Sequence, residues 1–167
     1  MTNTYHATPY DISATGFYFR NYNEYLEKSI THCNEYGDPV EEYEIQFIDG
    51  DNYALFDALH INQANLRDWF ESFGELDGND VIKVIYLAKD MGYAMEGVLD
   101  RLDDVMLFEG SVIEYTENYI EECGLLDQIP ENLRFYFDTE SYARDLVLGG
   151  DIASLDIDSK SYVVQTY

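Results

Sequence analysis

The chain has 167 residues, of which 34 are Asp or Glu and only 9 are Lys or Arg, so its formal net charge is −25. Disordered acidic chains are poor in aromatic residues, whereas this one has 16 Tyr and 9 Phe and can bury enough apolar surface to fold. A charge excess of this size repels phosphate, which excludes nucleic acids and anionic membranes as partners and favours basic proteins.

The cysteines and the first residues bear on the compartment. Cys33 and Cys123 are too few for a disulfide framework, and neither belongs to a CxxC pair, which is typical of an intracellular protein. The first ten residues lack the basic and apolar regions of a secretion signal, and no apolar run approaches the ~20 residues of a membrane span. The sequence therefore predicts a cytoplasmic protein.

The first third of the chain predicts three strands and one helix. Residues 4–10 and 15–20 are short aromatic-rich runs on either side of a turn, typical of paired strands. Residues 23–36 have apolar side chains at helical spacing, Cys33 among them, which predicts a helix with Cys33 in the core. Residues 42–49 alternate apolar and polar side chains, the pattern of a strand with one wet face. We expect an antiparallel sheet with one helix packed on it.

From Asn62 onward, the spacing of apolar residues becomes that of helices. An apolar stripe through residues 66–73 predicts a helix with Asn62 as its N-cap and Gly74 just past its end. The apolar residues of 81–91 fit a helix or a short strand, of which we predict the helix. Residues 95–104 continue the helical pattern, so the middle of the chain is expected to be a small bundle of helices.

The last third predicts helices followed by a hairpin. The helices are expected at residues 111–122, 130–137 and 139–147; the first opens with the capping-box pattern Ser-x-x-Glu and the last is capped by Thr139. Residues 152–157 and 162–167 predict two strands around the turn Asp158-Ser159-Lys160-Ser161.

These elements predict an α+β fold in three parts. The expected domains are an N-terminal sheet-plus-helix domain at 1–59, a central helical domain at 60–104 and a C-terminal α+β domain at 105–167.

Catalytic and metal motifs are not found in the sequence. His6, His32 and His60 are isolated from one another, and the acidic loops that begin at Asp49 and Asp156 lack the Gly and Glu that a calcium-binding loop requires. No nucleophile elbow, P-loop or dinucleotide fingerprint is present. The sequence predicts no catalytic site, no metal and no cofactor, although a hydrolase that uses two of the many carboxylates stays open as an alternative.

The charge itself suggests a function. Duplex DNA carries one negative charge per about 1.7 Å of axis, so 25 charges correspond to roughly 42 Å of duplex, and a compact chain of this length has a diameter of roughly 40 Å. A folded chain with this density of carboxylates can compete with DNA for a groove that binds phosphates. Charge alone fits equally well with solubility or adaptation to high salt.

The last third of the chain contains four sequence blocks: YIEECG at 119–124, YFD at 136–138, YARDL at 142–146 and GDI at 150–152. These blocks resemble the conserved end of the ArdA-type antirestriction proteins that plasmids, transposons and phages carry. Glu41-Glu42-Tyr43-Glu44-Ile45 resembles that family's first-domain strand, whereas the middle of the chain departs most from the family.

This resemblance implies a DNA mimic. It would be an elongated α+β protein of three small subdomains that forms a two-fold homodimer through its C-terminal domain. Its acidic surface would occupy the DNA-binding groove of type I restriction-modification enzymes, at their specificity and methyltransferase subunits. An acidic interaction module that sequesters another basic DNA-binding protein is the alternative. The resemblance implies no enzymatic activity.

Candidate site residues follow from these expectations. Arg144 and Asp145 lie in the strongest family block, and we expect Arg144 to form a structural ion pair. The expected dimer interface consists of apolar residues: Tyr115, Tyr119, Leu125, Leu126 and Ile129. The expected phosphate mimics are carboxylates predicted to face solvent: Glu41, Glu42, Glu44, Asp49, Asp51, Asp57, Asp68, Glu71, Glu75, Asp77, Asp80, Asp100, Asp103, Asp104, Glu114, Glu117, Glu121 and Glu122.

Overall fold

A computed structural model describes residues 2–74 and 76–166, and its fold is α+β, as predicted. The described residues form two compact units, the first ending at Val81 and the second beginning at Ile82. The division into domains at 59/60 and 104/105 stays a prediction. No helix within the described residues is both long and apolar enough to cross a membrane.

The first unit contains the predicted three-stranded antiparallel sheet. Its strands are β1 (Thr4–Pro9), β2 (Phe17–Phe19) and β3 (Tyr43–Asp49), in the order β2-β1-β3. Tyr5 of β1 pairs with Phe19 on one side and with Phe47 on the other. Because side chains alternate along a strand, these rings lie on one face of the sheet and begin the core.

Helix α1 (Tyr22–Ile30) is capped by Asn21, whose Oδ1 accepts the Glu24 N–H at 2.9 Å. The helix ends six residues before the predicted end at Tyr36. The side chain of Asn34 accepts the backbone N–H groups of Tyr36 and Asp38, which competes with helical hydrogen bonds and turns the chain back.

The early end of α1 also changes the position of Cys33. This residue forms an isolated bridge with Pro39, and its side chain is exposed. The prediction that Cys33 belongs to the core is wrong because it assumed that helical spacing continues past Ile30.

A cluster of aromatic rings forms the core of the first unit. The ring of Tyr5 lies at its centre, and the indole Nε1 of Trp69 donates a hydrogen bond of 2.9 Å to the Tyr5 hydroxyl. Both side chains are buried, so this bond satisfies two polar groups that water cannot reach. The rings around Tyr5, with centroids 5.2–6.5 Å away, belong to Phe19, Phe47, Phe56, Trp69 and Phe70.

Two helical segments pack beside this sheet. Helix α2 (Tyr53–Ala58) follows β3, and the short helix α3 (Leu66–Asp68) continues directly into a π-helical turn, Trp69–Phe73. The predicted N-cap at Asn62 is wrong: its Oδ1 accepts the Ala64 N–H in a turn before the helix. A polar side chain can satisfy a nearby turn as readily as a helix end.

Helix α4 (Gly78–Lys89) confirms the helix predicted from residue 81. The next helix, α5 (Met95–Val98), is interrupted at Gly97, whose φ of 87° is available to glycine but costly for other residues. A 3₁₀ turn, Leu99–Asp104, follows. Residues 95–104 are therefore helical, as predicted, but not one continuous helix.

The second unit contains a second three-stranded antiparallel sheet. Its strands are β4 (Val105–Glu109), β5 (Ala153–Ile157) and β6 (Lys160–Thr166), in the order β4-β6-β5. The predicted hairpin is confirmed with a shorter turn, because Asp158 and Ser159 both adopt positive φ and Lys160 already pairs with Ile157. The predicted strand position at Tyr167 lies outside the described residues.

The helices of the second unit are α6 (Val112–Glu122), α7 (Glu131–Arg134) and α8 (Thr139–Gly149), with a 3₁₀ turn at Leu125–Gln128. The capping box predicted for α6 is present. Helix α7 is shorter than predicted.

The caps of these helices differ from the prediction in one place. Asp138, not Thr139, caps α8, because its carboxylate accepts the Ser141 N–H at 2.9 Å. Gly124, with a φ of 59°, follows α6 and allows the chain to turn. The core that this unit forms against its sheet centres on Tyr115, Ile152 and Val163.

Candidate partner-binding surface

The predicted phosphate mimics lie at the surface of both units. Asp80 and Asp104 are half-buried, Glu75 lies outside the described residues, and all the others are exposed. Exposure follows from residue type, because an ionised carboxylate is costly to bury without a partner. Which of them contact a partner stays a prediction.

Helix α6 arranges some of these carboxylates in a row. Glu114, Glu117 and Glu121 are spaced three and four residues apart, which places them on one exposed face, while Tyr115 and Ile120 are buried. At 1.5 Å per residue, the row extends over roughly 10 Å. We call these three residues the α6 acidic row.

Strand β3 provides a second arrangement. Tyr43 and Ile45 point into the core, so the alternate residue Glu44 faces solvent, and Glu42, immediately before the strand, is exposed as well. The Glu44 carboxylate accepts a hydrogen bond of 3.1 Å from Gln46. Helix α6 thus sets the spacing of its carboxylates, whereas β3 fixes the direction of Glu44.

Some predicted mimics have partners within the chain. Glu71 forms an ion pair with Arg67 at 2.7 Å, and Asp104 forms one with Arg101 at 3.2 Å. The four side chains are each about half exposed or more, so each pair contributes little to stability. They partly neutralise two carboxylates that were predicted to imitate phosphate.

Two other predicted mimics cap helices. The Asp77 carboxylate accepts the backbone N–H groups of Asn79 and Asp80 at the start of α4. Glu114 accepts the backbone N–H of Ser111 at 2.7 Å and its hydroxyl at 2.8 Å, and these bonds lower the pKa of the Glu114 carboxyl. Both carboxylates therefore hold a helix end as well as carrying surface charge.

Basic residues cannot neutralise the surface. One-to-one pairing of all 9 basic residues with the 34 acidic ones would still leave 25 carboxylates without a basic partner. Described ion pairs already use Lys28, Arg134 and Lys160, with their carboxylates at 2.7, 3.2 and 2.8 Å respectively, in addition to the two pairs above. The result is an excess of surface anions in either unit.

Arg144 does not form the ion pair that the sequence predicts, as far as the described residues extend. Its guanidinium donates to the Ser141 hydroxyl at 3.4 Å, and that hydroxyl donates to Asp138 at 2.7 Å. The serine hydroxyl lies between the two charges because Ser141 is already held at the helix start by its cap.

The predicted dimer residues differ in exposure. Tyr115 is buried in the core of the second unit, which leaves little of its ring for a partner. Tyr119, Leu125, Leu126 and Ile129 are half-buried. Their role in a dimer stays a prediction.

Sequence reasoning missed a set of more exposed apolar residues in the second unit. Phe135 is 91% exposed, and Tyr136 and Leu148 are also largely exposed. A signal for Leu148 exists in the sequence: Leu146, Val147 and Leu148 are consecutive, and three successive helical residues cannot all face one core.

The histidines and cysteines do not form a metal or catalytic cluster in the described parts of the chain. His6 Nδ1 lies 2.8 Å from the Thr8 hydroxyl, and His32 Nδ1 lies 2.9 Å from the Tyr43 hydroxyl. No group of three His, Cys, Asp or Glu side chains in residues 2–74 and 76–166 could hold a metal ion.

Fold and surface together define a class: a small acidic α+β protein that presents excess carboxylates on both of its compact units. Over residues 5–160 the chain matches the family described as antirestriction protein (ArdA), and it belongs to that family. No curated protein shows a significant match to the chain. Family membership confirms the resemblance found in the sequence and gives the protein an antirestriction function, the inhibition of restriction-modification.

Proposed function

We propose that the protein is a DNA mimic that inhibits type I restriction-modification enzymes by occupying their DNA-binding groove. The contacts would be made with the specificity and methyltransferase subunits, in the cytoplasm of a cell that has received a mobile genetic element. The protein would act by binding alone, without catalysis. The observation that carries this proposal is the excess of carboxylates exposed on both units, three of which α6 sets in a row.

Electrostatics gives the mechanism. A groove that binds DNA is lined with basic side chains, and its affinity for phosphate comes largely from the release of counterions. Carboxylates at comparable density release the same ions and attract the groove over long distances. Because many weak contacts share the binding energy, single substitutions of a carboxylate should have small effects.

A homodimer would extend the mimicry. Two copies carry twice −25, or −50 charges, which corresponds to roughly 85 Å of duplex. A two-fold axis suits an enzyme whose DNA site has two halves. Phe135, Tyr136 and Leu148 expose apolar surface in the C-terminal part of the chain that such an interface would cover.

The proposal is tested by competition for DNA. A purified type I methyltransferase is bound to a fluorescent duplex that carries its recognition site, and the protein is added at several salt concentrations. We expect displacement of the duplex that weakens steeply with salt, and no binding of the protein to the duplex itself. Binding of another basic DNA-binding protein without displacement here would support the sequestering alternative instead.

Charge position is tested with matched variants. Glu117→Gln combined with Glu121→Gln removes two charges from the α6 acidic row, whereas Glu27→Gln combined with Glu140→Gln removes two exposed charges outside the predicted set. We expect the first pair to weaken displacement more than the second. In cells, the proposal requires relief of restriction when unmodified phage is plated on type I hosts; no relief across several type I families contradicts it.

A further inference from the structure

One cavity of the first unit combines apolar walls with carboxylates. Its volume is about 270 Å³, and it lies between the β1–β2 loop and the segment that leads into β3. The Tyr10 N–H donates to the Glu42 carbonyl at 3.2 Å and joins the two sides. The lining residues are Tyr10, Asp11, Pro39, Val40, Glu41 and Glu42.

Hydrogen bonds of Asp11 fix the conformation of the loop on one side of this cavity. Asp11 accepts the backbone N–H and the hydroxyl of Ser13 at 2.9 and 2.6 Å, and its other oxygen accepts the Asn34 amide at 2.9 Å. These hydrogen bonds lower the pKa of the Asp11 carboxyl, with the Ser13 hydroxyl the largest cause. The Glu35 N–H donates to the Ser13 carbonyl, and this hydrogen bond connects the β1–β2 loop to the loop at 34–38.

Apolar side chains on these two hydrogen-bonded loops face solvent. Ile12, at the tip of the β1–β2 loop, is fully exposed, and Tyr36, on the other loop, is 76% exposed. Tyr10, in the cavity wall, is also largely exposed. Scattered exposed apolar residues are ordinary, but three on hydrogen-bonded neighbouring loops beside a cavity are typical of a binding surface.

The negative charge of this surface determines which ligands it can bind. The Glu41 and Glu42 carboxylates have no hydrogen-bond or ion-pair partner among the described residues, and Asp11 stays ionised beside them. Anions are therefore repelled. A second copy of this chain is disfavoured as well, because it is strongly acidic and five of its described basic side chains already have carboxylate partners.

We propose that this cavity binds an arginine or lysine side chain on the surface of a basic protein partner. The methylene stem packs against Tyr10, Pro39 and Val40, while the charged head reaches the carboxylates at the rim. The Tyr10 ring adds a cation–π contribution. Ile12 and Tyr36 contact the surrounding protein surface, which a free cation could not cover. This inference rests on the proposed function and specifies how the inhibitor holds its target beyond phosphate mimicry.

The pocket is tested without the target enzyme by NMR titration. The probe is N-acetyl-arginine amide, and its control is N-acetyl-citrulline amide, which has nearly the same shape and no charge. We expect saturable shifts at the amides of Asp11, Val40 and Glu42 with arginine alone, and a several-fold weaker response in the Tyr10→Ala variant. If the shifts instead spread evenly over the acidic surface, including the α6 acidic row, the proposal that this cavity binds arginine is wrong.

Its role in the complex is tested by the DNA-displacement assay. Tyr10→Ala is expected to reduce the apparent affinity about tenfold at every salt concentration, because an apolar and cation–π contact is less sensitive to salt than a charge pair. Tyr18→Ala, at a similarly exposed tyrosine of β2, is the control.

The two proposals fail separately. If the wild-type protein does not displace the duplex, the proposed function fails, and the arginine titration still decides the pocket. If the wild type displaces the duplex but Tyr10→Ala behaves like Tyr18→Ala, this inference fails and the proposed function stands.

Discussion

The two compact units treat their large apolar side chains differently. In the first, Trp69 and Tyr5 are enclosed by other rings and joined by a hydrogen bond of 2.9 Å. In the second, the core centres on Tyr115, Ile152 and Val163, and Phe135 and Leu148 remain outside it. The first unit therefore packs most of its rings in one core and exposes apolar side chains such as Ile12 and Tyr36 on loops, whereas the second exposes Phe135 and Leu148 on or beside helices α7 and α8, where another molecule can cover them.

The two units should therefore respond differently to substitution, one in folding stability and the other in dimerisation. A substitution in the aromatic core of the first unit should act on folding, because it leaves a cavity among rings that cannot collapse. A substitution at the exposed residues of the second unit should leave folding unchanged and act on assembly. The following predictions test these expectations, beginning with the largest effect.

Trp69→Ala should produce the largest loss of stability. Removing the buried indole leaves a cavity and takes away the donor to the Tyr5 hydroxyl, so we expect the free energy of unfolding to fall by about 3–5 kcal/mol. Urea unfolding followed by circular dichroism measures the change. Phe135→Ala, at a ring that is 91% exposed, should change it by less than about 0.5 kcal/mol. If both substitutions lowered the free energy of unfolding equally, the expected difference between the buried and the exposed ring would be wrong.

Leu148→Asp should weaken the proposed dimer. Placing a charge in an apolar interface is expected to raise the dissociation constant at least tenfold, which is about 1.4 kcal/mol. Sedimentation velocity over a range of concentrations measures this. Ile48→Asp introduces the same charge at an exposed residue of β3 and should leave the dimer intact. A monomeric wild type at all concentrations would remove the dimer from the proposal.

Ser111→Ala should destabilise the second unit modestly. It removes one half of the capping box, so we expect a loss of about 1 kcal/mol in the free energy of unfolding. The pKa of Glu114 should also rise, because it loses the bond from the Ser111 hydroxyl. Urea titration and carboxyl NMR measure the two effects. Ser154→Ala, at an exposed strand position, is the control.

Tyr25→Phe should change stability only at high pH. Burial raises the pKa of Tyr25 from its ordinary value of 10.0 to about 12. The neutral phenol therefore stabilises the folded state below pH 10, and this contribution is lost as pH rises towards 12. Phenylalanine cannot ionise, so the variant should lose less stability over this window. Unfolding free energies at pH 7, 10 and 11 test this, with the exposed Tyr53→Phe as the control.

Sequence patterns predicted those features that depend on neighbouring residues alone. The start and end of α6 agree with the prediction because a capping box and a following glycine are local signals. The end of α1 was missed because it depends on Asn34, whose side chain also bonds Asp11, 23 residues away. Such a contact between distant residues leaves no periodic pattern in the sequence.

For the candidate surface, the sequence predicted what residue type decides and missed what depends on the position of other elements. Residue type alone places carboxylates at the surface, but Asp77 could be identified as a cap only once the start of α4 was known. Tyr115 was placed at the interface because sequence spacing does not show which face of α6 the second sheet covers. The cavity beside Tyr10 was missed because its two walls lie about 30 residues apart in the sequence.

The order of strands in the second sheet has a consequence for synthesis on the ribosome. In the described chain, β4 and β5 each pair with β6, and β6 emerges last of the three. Until then, β4 and β5 remain unpaired edges, while the three strands of the first sheet can already associate. A nascent chain interrupted before Lys160 would thus keep a complete first sheet and expose two strands prone to aggregation.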